Sequence, residues 1–271
     1  MIELMPRPLP YLPQEMADLV LKELTDNGVE VYLGRSVKLF EQDGPHMRVA
    51  FDGGEVTVEL ALAGVGIVPN SEIAAQAGLE LGPANSVAVD TSLRTTDPDI
   101  FAAGDCADAF HVVTGQRVWI PLALRANRAG WAVGDNVTGG SVQLPGIAAT
   151  AVFKVLDLEV ARTGLSMDEA RAAGFDPVEN MIKSRSRAHA HPGNQTIYVN
   201  LVADKKTGKL LGGSMVGKEG VAHRIDAVAV ALHAGMTAEA FFQCDMAYAP
   251  PFSPVWDPLL TAANQLLKRL A

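Results

Sequence analysis

The sequence predicts an α/β fold of two incomplete units, followed by a separate α+β domain. Three observations support this fold class. A helix and several short strands fill the first 70 residues, an apolar stretch ends in Gly-Asp ahead of a long helical pattern, and strands precede helices after about residue 146. Strands followed by a group of helices are typical of an α+β domain. We therefore expect three units, over residues 1–70, 71–145 and 146–271.

The first unit is organised around one helix. Residues 13–27 predict this helix, because Pro13 suits a first turn and Gly28 can adopt the left-handed conformation that ends a helix. The alternating residues 29–33 then predict a strand. A small β-meander follows over residues 37–41, 47–51 and 55–63, with Asp52-Gly53-Gly54 as a hairpin turn.

The second unit combines a buried strand with a long helix. The strand ends in Gly104-Asp105, and open α/β sheets bind ligands at this end of their strands. The predicted elements are a short helix over residues 71–78, a turn-rich segment at 95–99, the buried strand at 100–103 and a long helix from Pro121 to Asn136.

The third unit contains strands first and helices last. Ser166 and Glu169 form a capping box, which predicts a helix that ends near Gly174. Residues 227–232 are apolar nearly all round a helix, which predicts burial on more than one side. The other elements are strands at 151–160, 178–184, 196–203 and 209–216, and helices at 221–235, 237–242 and 258–270.

Composition and charge exclude several classes of function. The net charge of −9 argues against nucleic acid, whose binders carry a basic stripe. No apolar stretch approaches the ~20 residues that span a bilayer, and the six His show no metal-ligand spacing. Cys106 and Cys244 form no CxxC pair, so we expect a reduced, cytoplasmic protein without a disulfide framework. We expect neither a metal, nor nucleic acid, nor a membrane as a partner.

The most specific motif is Thr95-Thr96-Asp97-Pro98-Asp99-Ile100-Phe101-Ala102-Ala103-Gly104-Asp105. Gly104 allows a ligand to lie close to the backbone, and Asp105 can accept hydrogen bonds from ligand hydroxyls. A strand followed by an Asp helix cap is the alternative. The whole stretch resembles the second flavin-binding motif of the pyridine nucleotide–disulfide oxidoreductases. The resemblance implies that Asp105 holds the ribityl chain of FAD.

The same resemblance extends to Pro121-Leu122-Ala123 and Asn127. In the family this segment starts a helix whose first amides face the flavin pyrimidine ring, and the positive end of a helix stabilises negative charge on a reduced flavin. A Pro-initiated amphipathic helix without a ligand is the alternative. The resemblance thus adds Pro121, Leu122, Ala123 and Asn127 to Gly104 and Asp105 as cofactor-binding residues.

The beginning of the chain resembles the end of the second strand of the family's NAD(P)H-binding domain. The resemblance implies that Glu3 binds the adenosine ribose, where a carboxylate would favour NADH over NADPH. An ordinary surface Glu is the alternative. No GxGxxG lies between a strand and a helix, so we expect an N-terminally truncated chain that carries only the C-terminal parts of Rossmann-like NAD(P)H- and FAD-binding domains.

Residues 146–271 resemble the family's dimerisation domain, in the branch of coenzyme A-disulfide reductases and NADH oxidases. The motifs are Thr163-Gly164-Leu165, Gly217-Lys218-Glu219-Gly220 and Tyr248-Ala249-Pro250-Pro251-Phe252-Ser253. The resemblance implies a homodimer in which Tyr248 reaches the partner subunit's active-site thiol and can donate a proton to sulfur. A packing aromatic is the alternative. The branch commonly has Tyr-Tyr-Pro-Gly where this chain has Ala190-His191-Pro192-Gly193, which places coenzyme A disulfide in doubt as the substrate.

His191 and Tyr248 are therefore the candidate catalytic residues. His191 is either an acid or a surface residue, and its loop, with Arg185, Arg187 and His189, faces either an anionic substrate or solvent. The resemblance implies an FAD-dependent enzyme that passes electrons from NAD(P)H to a disulfide, persulfide or oxygen species, with a thiol, disulfide or coenzyme A-type substrate. The chain alone is expected to be inactive. The alternative function is a non-catalytic dimerisation module.

Overall fold

A computed structural model describes residues 1–271 and contains one five-stranded sheet and three smaller ones. In the first part, a parallel strand pair places Ile2 opposite Tyr32, and an antiparallel meander follows. The third strand of the meander ends at Val58, whereas the sequence predicted strand to residue 63. The elements are β1 (Ile2–Glu3), α1 (Gln14–Asp26), β2 (Tyr32–Leu33), β3 (Val37–Asp43), β4 (His46–Phe51) and β5 (Gly54–Val58).

The middle of the chain holds one long helix and little regular strand. Its elements are α2 (Glu72–Gln76), a 3-10 turn (Pro83–Asn85), β6 (Ala109–Phe110), β7 (Arg117–Val118) and α3 (Ala123–Asn136). β6 and β7 pair as a short antiparallel hairpin. The predicted long helix is confirmed, but its first helical residue is Ala123, two positions after Pro121.

The predicted buried strand at residues 100–103 is wrong. Phe101 makes one antiparallel bridge with Arg94, and Ala102 donates its N–H to the carbonyl of Leu93. Ile100 is exposed. The backbone of residues 100–103 is paired only with residues 93–95. The segment therefore lies at an edge and is not a buried strand.

The C-terminal part is an α+β domain around the five-stranded sheet. The sheet is antiparallel throughout, with strand order β10-β11-β12-β9-β8. The elements are β8 (Ala151–Val155), β9 (Leu158–Gly164), α4 (Met167–Ala172), β10 (Pro177–Arg185), β11 (Thr196–Asp204), β12 (Leu210–Gly217), α5 (Arg224–His233), α6 (Ala238–Phe242) and α7 (Pro258–Leu270).

Both faces of this sheet are covered by helices. On one face, α5, α6 and α7 pack into the largest core, which includes Met215 of the sheet together with Phe241 and Leu266 of the helices. On the other face, Met16 and Val20 of α1 lie in a smaller core that includes strand residues 158, 160 and 216. The first helix of the chain is therefore built onto the C-terminal sheet, because its apolar stripe covers that face.

Three predictions for the C-terminal part meet different outcomes. The capping box is confirmed, because Ser166 and Glu169 exchange side-chain to backbone hydrogen bonds at the start of α4. The strand predicted at residues 151–160 is two strands joined by a tight turn at Leu156, whose φ is 52°. The helix at 227–232 is not buried all round, since Val230 is 68% exposed. No helix is both long enough and apolar enough to cross a bilayer.

Candidate functional site

The Gly104-Asp105 turn is open to solvent and tied to the segment that leads into α3. Gly104 has a φ of +90°, and a Cβ there would meet no atom within 4 Å, so the backbone conformation favours glycine. The side chain of Asp105 is exposed. Its carbonyl accepts a hydrogen bond from Nε1 of Trp119 at 2.7 Å. This bond places an exposed carboxylate close to the entry of the long helix.

The start of α3 leaves its first amides without a side-chain partner. Leu122 is the N-cap residue, and no side chain accepts a hydrogen bond there. The first N–H groups of a helix have no partner within the helix and carry the positive end of its dipole. Pro121 and Leu122 are half-buried, whereas Ala123 and Asn127 are exposed. These amides can stabilise an anionic or electron-rich group.

Two neighbouring loops carry the candidate catalytic residues His191 and Tyr248. The loops are joined by a hydrogen bond from the Ala188 N–H to the Pro250 carbonyl at 3.1 Å. Tyr248 is about half exposed. Nδ1 of His191 lies 3.0 Å from the carbonyl of Pro192. Both side chains therefore belong to one pair of connected surface loops.

Arg224 connects these two loops to the body of the domain. Its Nη2 donates to the carbonyls of Ser186 and Phe252, at 3.1 and 3.0 Å. Its Nε donates to Asp257 at 2.9 Å. One guanidinium thus holds both loops and the start of α7 in a fixed arrangement. The basic loop of His191 is also partly neutralised, because Arg187 forms a two-point ion pair with Glu219.

Glu3 lies in the parallel pair at the start of the chain, and its carboxylate accepts the Met5 N–H at 2.8 Å. The structure therefore divides the predicted site residues into three groups. The first group is Gly104, Asp105 and the start of α3, which Trp119 connects. The second is the pair of loops that carries His191 and Tyr248, and the third is Glu3 in β1. No hydrogen bond joins one group to another. Cys106 donates from Sγ to the Ala103 carbonyl, and both cysteines are free.

Sequence reasoning missed two buried ionisable residues, Arg125 and His111. Arg125 lies in the first turn of α3, is 8% exposed, and donates from Nη2 to the Asp108 carbonyl at 2.6 Å. His111 is 3% exposed. Burial lowers the pKa of both side chains. The sequence does contain one signal for Arg125. A cation in the first turn of a helix lies at the positive end of the helix dipole, where it is disfavoured.

Asp108 is a third buried group that the sequence did not reveal. It has no solvent exposure, and both of its carboxylate oxygens accept hydrogen bonds from Nη1 of Arg117, at 3.0 and 2.8 Å. The Val89 N–H donates to it as well, at 3.0 Å. These bonds fix the β6–β7 hairpin against the strand-like segment 87–89.

An exposed Gly-Asp turn beside the start of a long helix, followed along the chain by an antiparallel sheet domain, defines an α/β protein with an appended α+β domain. Family models give the more specific assignment. The model of the pyridine nucleotide-disulphide oxidoreductases matches residues 1–130, and that of their dimerisation domain matches residues 150–259. The chain belongs to the pyridine nucleotide-disulphide oxidoreductase family.

Its relatives include proteins named as NAD(P)H sulfur oxidoreductases and NADH oxidases. The chain is 41% identical over 219 residues to the CoA-dependent NAD(P)H sulfur oxidoreductase of Pyrococcus furiosus, which covers 81% of this chain and 49% of the relative. It is 32% identical to the NADH oxidase of Methanocaldococcus jannaschii, over the whole chain and 60% of the relative. The chain therefore spans about half the length of the curated relatives that it matches.

A solved structure resembles nearly the whole chain. It is that of an NAD-dependent persulfide reductase from A. fulgidus, with a TM-score of 0.95 and 37% sequence identity. The match covers 99% of this chain and 50% of that chain. The predicted fold class, with nucleotide-binding parts ahead of a dimerisation domain, is confirmed.

Proposed function

We propose that this chain forms part of an FAD-dependent NAD(P)H oxidoreductase that reduces a disulfide, a persulfide or an oxygen species. The observation that carries the proposal is the exposed Asp105 carboxylate. It follows a left-handed glycine, and the backbone carbonyl of Asp105 is tied through Trp119 to the segment that leads into α3. The relatives' names include sulfur reductases and NADH oxidases, which supports this range of electron acceptors.

In this proposal the residues of the chain bind and orient FAD, which supplies the electron transfer from NAD(P)H when bound. Asp105 accepts hydrogen bonds from the ribityl hydroxyls, and Gly104 leaves room for the ligand at the backbone. The amides after Pro121, at Leu122 and Ala123, stabilise negative charge on the pyrimidine end. Asn127, one turn later on the exposed side of α3, supplies a further polar group.

Residues 1–271 contain no strand–GxGxxG–helix unit for the FAD pyrophosphate. We therefore expect the purified chain to hold no stoichiometric FAD, and a yellow protein after gel filtration would contradict this. Added FAD should bind weakly, as followed by quenching of flavin fluorescence. Asp105→Ala should weaken that binding about 10- to 100-fold, since a charge-assisted hydrogen bond contributes about 1.5–3 kcal/mol. The exposed Asp99→Ala is the matched control.

We propose that Glu3 favours NADH, because a carboxylate at the adenosine ribose repels the 2′-phosphate of NADPH. The structure gives Glu3 a fixed direction through its bond with the Met5 N–H. Titration with NADH and NADPH, followed by cofactor fluorescence, tests this role. Glu3→Gln should narrow the preference by improving NADPH binding, whereas an unchanged ratio would remove Glu3 from the site.

We further propose a homodimer built through residues 146–271. Phe252 and Trp256 are large exposed apolar side chains in this region, and Phe242 stacks on Trp256 with ring centroids 5.8 Å apart. Exposed aromatics are enriched at interface cores. Phe241, by contrast, is only 2% exposed and belongs to the core of the monomer. Sedimentation at micromolar concentration should show twice the monomer mass of 28.7 kDa.

Tyr248 and His191 are the proposed proton donors to a sulfur leaving group, with Tyr248 acting across the twofold axis. Their loops are joined and their side chains reach the surface. In an assembly that reduces disulfide or persulfide, Tyr248→Phe should lower turnover while leaving the dimer mass unchanged. Full turnover with the phenylalanine would leave Tyr248 as a packing aromatic.

A non-catalytic dimerisation module is the second candidate function. The observation in its favour is a contrast between two parts of the chain. Leu62 and Val65, in the first part, are almost fully exposed, whereas the C-terminal sheet packs against its own helices in a large hydrophobic core. Such a module would form the dimer and show no saturable flavin quenching. The FAD titration therefore separates the two proposals.

A further inference from the structure

A cavity of about 410 Å³ lies between the start of α3, the segment 144–152 and the end of α5. Most of its wall is apolar. Gly104 and Asp105 do not line it, but Leu122 and Ala123 do, so it adjoins the site proposed for the pyrimidine end of FAD. Its apolar wall residues include Leu93, Phe110, Leu122, Leu144, Ile147 and Ala148.

Arg125 is a charged residue in this apolar wall. It is more than nine-tenths buried, and only its Nη2 has a partner, the carbonyl of Asp108 at 2.6 Å. Its Nη1 is buried and makes no hydrogen bond. A guanidinium stays charged at neutral pH, and a buried cation without an anion or a full set of acceptors is destabilising.

The carboxylates of the two acidic wall residues form no hydrogen bond with Arg125, although the negative charge of Asp108 favours its charged form. Both carboxylate oxygens of Asp108 face Nη1 of Arg117. Asp90 accepts from the Ser92 hydroxyl and from the N–H groups of Ser92 and Arg94. Burial opposes the charge of Asp90, but these bonds outweigh it, so its pKa is lowered and it stays ionised. Each acid is therefore already committed to its own partners.

The remaining charge of the wall is positive. Arg128 lies one turn after Arg125 on α3 and takes part in no ion pair or hydrogen bond. Two guanidinium groups thus meet at one apolar cavity.

We propose that this cavity binds a small organic anion that carries one carboxylate or sulfonate on an apolar body. The anionic head pairs with Arg125, which supplies the free Nη1 donor, and Arg128 adds longer-range attraction. The apolar body fills the space beside Leu93, Leu144 and Ile147. A free inorganic anion has no apolar body to bury, so it binds more weakly at this site.

A matched pair of ligands tests the proposal on the unmodified chain. The probes are 4-fluorobenzoate and 4-fluorobenzamide, which share shape and differ in charge, and fluorine NMR line broadening reports their binding. We expect the carboxylate to bind at least about tenfold more tightly than the amide, because only the carboxylate forms the charge-assisted bond. Equal affinities would overturn the proposal.

Variants then locate the site. Arg125→Met keeps a similar apolar volume and should weaken 4-fluorobenzoate binding about 10- to 100-fold, while Arg128→Met has a smaller effect. Arg171→Met, at an exposed position on α4, is the matched control and should bind as the unmodified chain does. Retained affinity in Arg125→Met, or an equal loss in Arg171→Met, would overturn the site. If Arg125→Met does not fold, the ligand pair on the unmodified chain still decides the question.

Discussion

Gly164→Ala provides a sharp test of how the C-terminal sheet is packed. Gly164 ends β9 with a φ of +66°. A Cβ at this position would lie 2.3 Å from the Leu211 carbonyl oxygen and 2.7 Å from the Gly212 Cα. These are backbone atoms of the neighbouring strand, which cannot move aside as a flexible side chain would. The substitution must therefore separate β9 from β12.

The magnitude follows from two costs. A left-handed φ costs a residue with a Cβ about 1–2 kcal/mol, and forced overpacking of a core adds about 1–3 kcal/mol. We expect Gly164→Ala to lose about 2–5 kcal/mol of unfolding free energy. Gly174→Ala is the matched control, since Gly174 has a φ of +87° and no atom within 4 Å of an added Cβ. It should lose only the conformational part, about 1–2 kcal/mol.

Urea unfolding followed by far-UV circular dichroism measures both variants. The midpoint of Gly164→Ala should fall well below that of Gly174→Ala, with similar slopes for the two. Equal midpoints would refute the argument, because they would mean that β9 and β12 have room for a methyl group between them. Both glycines have a positive φ, so the difference between the two midpoints tests the packing around Gly164.

Two further predictions concern the hydrogen bonds that position the loops and helices. Ser166→Ala removes one half of the capping box with Glu169 and should cost about 1 kcal/mol, measured by the shift in urea midpoint. Asp257→Ala leaves the largely buried Arg224 cation without its ion-pair partner and uncaps α7, so it should cost about 3–5 kcal/mol by the same measurement. In Asp257→Ala, a loss no larger than that of Ser166→Ala would show that the Arg224 network contributes little to stability.

Local signals in the sequence predicted most helices well. The capping box at Ser166 and the long apolar pattern of α3 depend on residues within a few positions of each other, and both are present in the structure. The strand at 100–103 failed because a buried strand needs paired neighbours on both sides, which its own residues do not encode. The local sequence pattern predicts whether an element is a helix or a strand better than it predicts which elements will lie beside it.

The candidate site shows the same division. Gly104 and Asp105 were found because their motif is contiguous, whereas Arg125 and Asp108 are buried next to each other through tertiary contacts. Likewise, Arg224 binds two loops whose contacting residues, Ser186 and Phe252, lie 38 and 28 residues from it along the chain. No spacing rule predicts a guanidinium that meets carbonyl groups from two separate loops. These residues become visible only when the fold brings them together.

The pH dependence of stability should report on His111. Its Nδ1 accepts the Val113 N–H at 3.2 Å, so the neutral ring carries its proton on Nε2, which is buried without a partner. Burial lowers the pKa of His111 below its ordinary value of 6.5; Arg162 and His233 lower it further, and Glu169 opposes them.

The sign follows from proton linkage. Because the folded pKa is lowered, the unfolded chain binds more protons as the pH falls, and stability rises with pH. The contribution is fully present above the unfolded value near 6.5 and is lost as the pH falls toward the folded pKa, by at most about 1.4 kcal/mol per pH unit. Carboxylates with a lowered pKa, such as Glu169 and Asp204, change stability only when the pH falls below their ordinary pKa values of 4.5 and 3.8. The window from about pH 7 to 5 therefore separates the effect of His111 from that of these carboxylates.

Urea midpoints of the unmodified chain and of His111→Gln, measured at pH 7 and pH 5, test this effect. Glutamine is neutral throughout, so the variant should lose less stability between the two pH values than the unmodified chain does. His46→Gln removes an exposed histidine and should keep the full pH dependence. If His111→Gln shows the same loss as His46→Gln, the buried imidazole is not the group that titrates, because a side chain that stays neutral cannot link folding to proton uptake.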